Sequence, residues 1–114
     1  MTKLVKLRVS PYPIQIWFTN DILKFKQKRK DILGTEITDV GVGHCSTDGY
    51  GCIVFGVFDK KLSTLVHELS HVMVHIFEYI GMNINNHTTE AFAYLMDNLY
   101  TQCENLINMG DSSE

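Results

Sequence analysis

The chain has 114 residues, of which 45% are apolar and 20% charged, with a formal net charge of −3. This is enough chain for one hydrophobic core and too little for two, and the balance is that of a soluble globular protein, which excludes a disordered chain and a membrane protein. No stretch approaches the roughly eighteen uninterrupted apolar residues of a membrane span, and Met1-Thr2-Lys3 is not followed by a signal-peptide core, so a cytoplasmic location is expected.

Leu4 to Val9 alternates apolar with basic residues and Ile14 to Phe18 is β-branched and aromatic; both predict strands, separated by a Pro11-Tyr12-Pro13 turn. A helix follows, capped by Asn20 or Asp21, with Ile22, Leu23, Phe25, Ile32 and Leu33 as its apolar stripe and Gly34 as its stop. Within it, Lys24 to Lys30 (KFKQKRK) is a basic run that reads as the solvated face of a helix, or alternatively as a contact for nucleic acid or an acidic partner.

Ile37 to His44 and Gly51 to Phe58 read as two strands of a hairpin joined by Ser46-Thr47-Asp48-Gly49. Cys45 and Cys52 could face each other across it. The three cysteines, Cys45, Cys52 and Cys103, are an odd number without zinc-finger spacing, so reduced thiols are expected rather than a disulfide framework. A second helix is predicted from Lys60 or Leu62 to Ile80, with Asp59 or Ser63 as cap and Gly81 as stop. A third runs from Thr88 to Asn108 after the Asn-rich loop Asn83 to His87, and Gly110 to Glu114 reads as a frayed tail. The order of elements predicts one α+β domain over residues 1 to 109, a small mixed sheet backed by helices.

The second helix carries His67-Glu68-Leu69-Ser70-His71, the H-E-x-x-H pattern of zinc peptidases. Residues four apart lie one turn apart on the same helical face, so two imidazoles can reach one Zn²⁺ at about 2 Å each. Glu68, about 100° round the helix, is placed to act as general base toward a zinc-bound water without being a ligand. Leu62, Leu65, Val66, Leu69, Val72, Met73, Ile76, Phe77, Tyr79 and Ile80 cover half or more of the circumference. The remaining arc holds Thr64, His67, Glu68, His71, His75 and Glu78, without one permanent cation. All ten Lys and Arg lie within residues 1 to 61, which leaves the C-terminal half acidic and receptive to a metal ion.

Catalytic zinc takes three protein ligands and a water, so a further donor is needed, and His75, Glu78, His87, Glu90 and Asp97 are available. His75 and Glu78 lie further along the same helix and read as groups supporting the ligands. Glu90 comes nineteen residues after His71, room for a helix to end and the next to return. The helical phase opposes it: Phe92, Leu95, Met96, Leu99, Cys103 and Leu106 form the apolar arc of the third helix, and Glu90 falls opposite with Tyr94, Asp97 and Thr101. Alternatively, Glu90 is a first-turn acid stabilised by the helix dipole.

His67 to His75 (HELSHVMVH) followed by Thr88 to Asp97 (TTEAFAYLMD) resembles the gluzincin-type pattern of small phage and mobile-element metallopeptidases, including the ImmA/IrrE type. The likeness covers about the last fifty residues. It departs from that type at Ser70, where Gly is common, and in lacking a Leu-Met-Pro ending and an attached DNA-binding or sensor domain. The resemblance implies a zincin-like fold, one Zn²⁺ per chain held by His67, His71 and Glu90, and Glu68 as catalytic base. It further implies a particular protein substrate, such as a repressor or other regulatory protein; His75, Glu78, Asp97 and Tyr94 are the candidates for residues supporting the ligands. It also implies that the hairpin Val40 to Val57 holds the substrate as an added strand, a mode that suits an extended scissile bond. His44, Tyr50 and Tyr94 are candidate donors to the oxyanion. The expected function is zinc-dependent peptide-bond hydrolysis. The alternative is a non-enzymatic, metal-containing module that occupies a protein partner, and the overall acidity makes a nucleic-acid role the weakest reading.

Overall fold

Four strands and three helices follow one another as β1 (Leu4–Leu7), β2 (Gln15–Thr19), α1 (Ile22–Leu33), β3 (Gly43–Thr47), β4 (Cys52–Val57), α2 (Leu62–Ile80) and α3 (Thr89–Cys103). The computed structural model describes residues 3–107. Asn108, expected to close the third helix, the domain end at residue 109 and the tail Gly110 to Glu114 lie outside the described residues. The expected α+β class holds: the strands form one mixed sheet in the order β1-β2-β4-β3. β2 and β4 are parallel neighbours and the other two pairs are antiparallel. A parallel pair needs a crossover, and α1 together with β3 occupies the connection from β2 to β4.

Side-chain alternation along the central strands sorts the helices onto both faces. Ile16, Phe18, Ile53, Phe55 and Val57 join Leu65, Leu69, Val72, Met73 and Ile76 of α2 and Leu99 and Cys103 of α3 in the main core. On the other face Val54 meets Phe25 of α1 and Val40, with Trp17, Ile32, Ile37 and Phe58 packed around them. Burial on both faces explains why β4 is apolar at nearly every position.

β3 is shorter than the expected strand Ile37 to His44, because the chain turns before it. The Asp39 carboxylate accepts the Gly41 N–H at 2.9 Å, and Gly41 adopts φ 63°, which a strand cannot hold. Ile37 and Val40 pack over Phe25 instead. Cys45 pairs with Phe55 in the β3–β4 register, so Cys45 and Cys52 are not cross-strand partners, and all three cysteines are free thiols. The turn then spans residues 48–51, where the Asp48 carboxylate accepts from the Tyr50 and Cys52 N–H groups.

α1 and α2 end as their sequences predict, at Gly34 and Gly81, both in the left-handed region. Asp21 caps α1 by accepting from Lys24 N–H. α2 begins without a side-chain cap on Lys61; neither Asp59 nor Ser63 occupies the cap position. Asp59 acts from just outside, accepting from Lys61 N–H at 3.2 Å and from Thr64 Oγ1 at 2.7 Å. α3 stops at Cys103, short of the expected Asn108, and a turn over residues 104–107 buries Ile107 while Asn20 donates to Leu106 O.

Two connections decide where the helices lie. Gln102 of α3 accepts from Arg8 N–H and donates to Arg8 O, both at 2.8 Å, which ties α3 to the chain leaving β1. α2 instead lies over β4 and β3, and Phe77 meets Phe92 edge-on at 5.5 Å where α2 and α3 touch. The basic run of α1 is spent on ties of its own. Lys26 donates to Thr38 O, Arg29 to Ser46 Oγ and Thr35 O, and Lys30 pairs with Glu36 at 3.1 Å. Lys28 Nζ stands 3.8 Å from the centre of the Trp17 ring. Among the described residues no helix is long and apolar enough to cross a membrane.

Candidate metal centre

α2 presents His67 and His71 to solvent one turn apart, with ring centroids 5.1 Å apart and planes at 74°. Glu68 points differently. It is only 5% exposed and tucks between the helix and β3. Its seat is Gly43: a Cβ on that residue would stand 3.0 Å from Glu68 Oε2 and 3.1 Å from its Cγ. Burial raises the Glu68 pKa, and the neighbouring His67 and His71 pull it partly back.

The buried arc of α2 is narrower than its sequence predicts. Leu62, Val66 and Tyr79, counted there as apolar wall, are 48%, 44% and 43% exposed, and Glu68 joins the buried side. The reason is the sheet edge: β3 comes alongside α2 at Thr64 and Glu68, and leaves its outer flank uncovered.

His44 of β3 is the sheet histidine closest to this face in its electrostatics. Its imidazole lies edge-on to Phe25 at 5.6 Å, and its pKa is lowered by burial first, then by Arg29 and His71. Tyr50 stands 85% exposed at the β3–β4 turn, and Tyr94, 71% exposed, lines a cleft with Arg8, Ser10 and Tyr12 beside β1. Tyr94 therefore lies toward the β1 edge of the sheet, away from the histidine pair beside β3.

The three-ligand set of His67, His71 and Glu90 is not assembled: among the described residues, no three His, Cys, Asp or Glu side chains gather into a metal-holding group. Glu90 is exposed in the first turn of α3, on the solvent face with Tyr94, Asp97 and Thr101, where the helical phase puts it. α3 is seated by Leu99 and Cys103 in the main core and joined to the chain after β1 by the Gln102–Arg8 hydrogen bonds, while the histidines border β3. His75 and Glu78 approach each other at 3.9 Å, one turn beyond His71, and His87 is exposed in the loop before α3.

The two imidazoles are spaced as two of the three ligands a catalytic Zn²⁺ takes, and the described residues leave the third position without a donor. Gly43 is the residue the sequence reading passed over. The available signal was a glycine within a strand, which marks close approach of another group. No model of a protein family, no curated protein and no solved structure matches the chain.

Proposed function

We propose that the chain is a zinc-dependent peptidase of zincin type, cytoplasmic, acting on a specific protein target such as a repressor or other regulatory protein. The observation that carries the reading is the division of labour within one helical turn: His67 and His71 exposed and facing each other, Glu68 between them and buried against Gly43. His67 and His71 would hold a Zn²⁺ ion together with one further donor, and the bound ion would supply a Lewis acid that lowers the pKa of a water molecule. Glu68 takes a proton as the water attacks and returns it to the leaving amine. β3, an edge strand beside that turn, offers unpaired backbone groups that hold an extended peptide across the site. The class of target comes from the likeness to the ImmA/IrrE type alone.

A second reading, a metal-containing module that occupies a partner without cutting it, is favoured by Leu62, Val66 and Val74, which are half exposed on α2 beside the histidines. The nucleic-acid reading loses its support, since Lys26, Arg29 and Lys30 are engaged with Thr38, Ser46 and Glu36. The deciding experiment is zinc analysis of purified protein with a proteome-wide search for peptides released by wild type and absent with Glu68→Gln. Bound zinc with no such peptide would replace the peptidase reading by the binding module.

A further inference from the structure

One turn beyond His71, α2 and the β3–β4 turn enclose a cavity of about 130 Å³. Ile14 and Ile53 form its floor, and the Tyr79 ring forms a wall over Gly51, where a Cβ would stand only 3.0 Å from Tyr79 Cζ. Gly51 also holds φ 94°, so both the turn and the ring above it depend on glycine there. His75 and Glu78 stand at the mouth.

The cavity lies in register with the proposed reaction site. β3 runs beside α2, with Gly43 against Glu68 at one end and Thr47 lining the cavity with His75 and Tyr79 at the other. Thr47 follows Gly43 by four residues, roughly 13 Å along the strand and on the same face. Side chains on one face of an extended peptide recur about every 6.8 Å. A peptide added antiparallel to β3, with its reacting carbonyl beside Glu68, therefore directs an earlier side chain into the cavity.

Building on the peptidase reading, we infer that this cavity selects a substrate residue about four residues before the one whose carbonyl reacts, and that it takes an unbranched or γ-branched aliphatic side chain such as Met or Leu. Size sets the upper limit: a cavity of about 150 Å³ accommodates a benzene ring, so a space of this order takes one such side chain and excludes an indole. The apolar floor rewards an aliphatic body. Glu78 at the mouth repels an acidic one, and residues 62–107 hold no Lys or Arg to offset it.

The test measures binding to zinc-loaded Glu68→Gln protein, so that it does not depend on turnover. The probes are acetylated, amidated alanine pentapeptides carrying Leu, Met, Phe, Trp or Asp at one position in turn, followed by NMR shifts of Thr47, Ile53 and Tyr79. Leu and Met are expected to bind at least about ten-fold better than Trp or Asp at one fixed position, the scale on which apolar pockets discriminate. Adding Tyr79→Ala should admit Trp, Glu78→Gln should relax the bar on Asp, and Tyr79→Phe should retain the wild-type preference. Absence of a positional preference, or a preference unmoved by Tyr79→Ala, overturns the inference even if wild type cleaves peptides. If the preference holds and wild type cleaves nothing, the peptidase reading falls and the pocket stands.

Discussion

A Cβ at Gly43 would stand 2.8 Å from Thr64 Cγ2 and 3.0 Å from Glu68 Oε2, so a methyl group there would press on both side chains of α2. Gly43 has no positive φ, so its requirement is one of space and not of backbone conformation. Gly43→Ala should therefore fold, push the carboxylate aside, and lower peptidase activity by about ten- to a hundred-fold, the cost of a misplacement near 1 Å. Zinc content should stay at the wild-type level. Parallel activity assays and elemental analysis check both halves, and an unchanged rate would remove Glu68 from the reaction.

The two histidines and the glutamate between them should separate by readout. His67→Ala and His71→Ala are expected to lose zinc and activity together. Glu68→Gln is expected to keep zinc and lose activity by about 10²- to 10⁴-fold, the range for removal of a general base. Metal loss from Glu68→Gln would mean that this carboxylate is a ligand. Chelator treatment of wild type should abolish activity, and zinc should restore it.

Glu90 is where the family likeness and the geometry part. On the geometry, Glu90→Ala leaves zinc affinity within about ten-fold of wild type. It also lowers stability by roughly 0.3–1 kcal/mol through loss of a first-turn acid. Competitive zinc titration and thermal melts measure both. A loss of zinc affinity comparable to that of His71→Ala would show that the N-terminus of α3 reaches the histidines in the metal-bound protein.

Thiol chemistry offers a check on the packing. Burial pushes the Cys45 and Cys103 thiols up to about 12, with the Glu68 charge adding to the rise at Cys45. Only the thiolate reacts with iodoacetamide, and its fraction at pH 8 is then on the order of 10⁻⁴. Cys52, less buried though also raised, should be alkylated first. Cys45 and Cys103 should react only on unfolding, or as pH climbs far above neutrality. Mass spectrometry of the folded and urea-unfolded protein distinguishes the three.

Period and punctuation made most of the fold legible. Asp21, Gly34 and Gly81 mark helix ends by local chemistry, and β4 announces its double burial by unbroken apolarity. The start of β3 was hidden because an Asp39–Gly41 turn is a side-chain event inside a segment of strand-forming residues. His67, Glu68 and His71 were readable because one helical turn fixes their spacing. The Glu68 seat and the position of Glu90 were not, since they depend on which edge of the sheet each helix covers. That choice is made by long-range pairs such as Arg8 with Gln102, ninety-four residues apart.

The sheet also divides the molecule electrically. Lys24, Lys26, Lys28, Arg29 and Lys30 all lie on α1, while α2 and α3 carry Glu68, Glu78, Glu90 and Asp97 and no Lys or Arg. Charges segregated on opposite faces give the protein a permanent dipole moment, directed through the strands from the acidic side toward the basic side. Cations and cationic segments arriving by diffusion are thereby turned toward the histidine-bearing side before any contact forms, with a bias that added salt weakens.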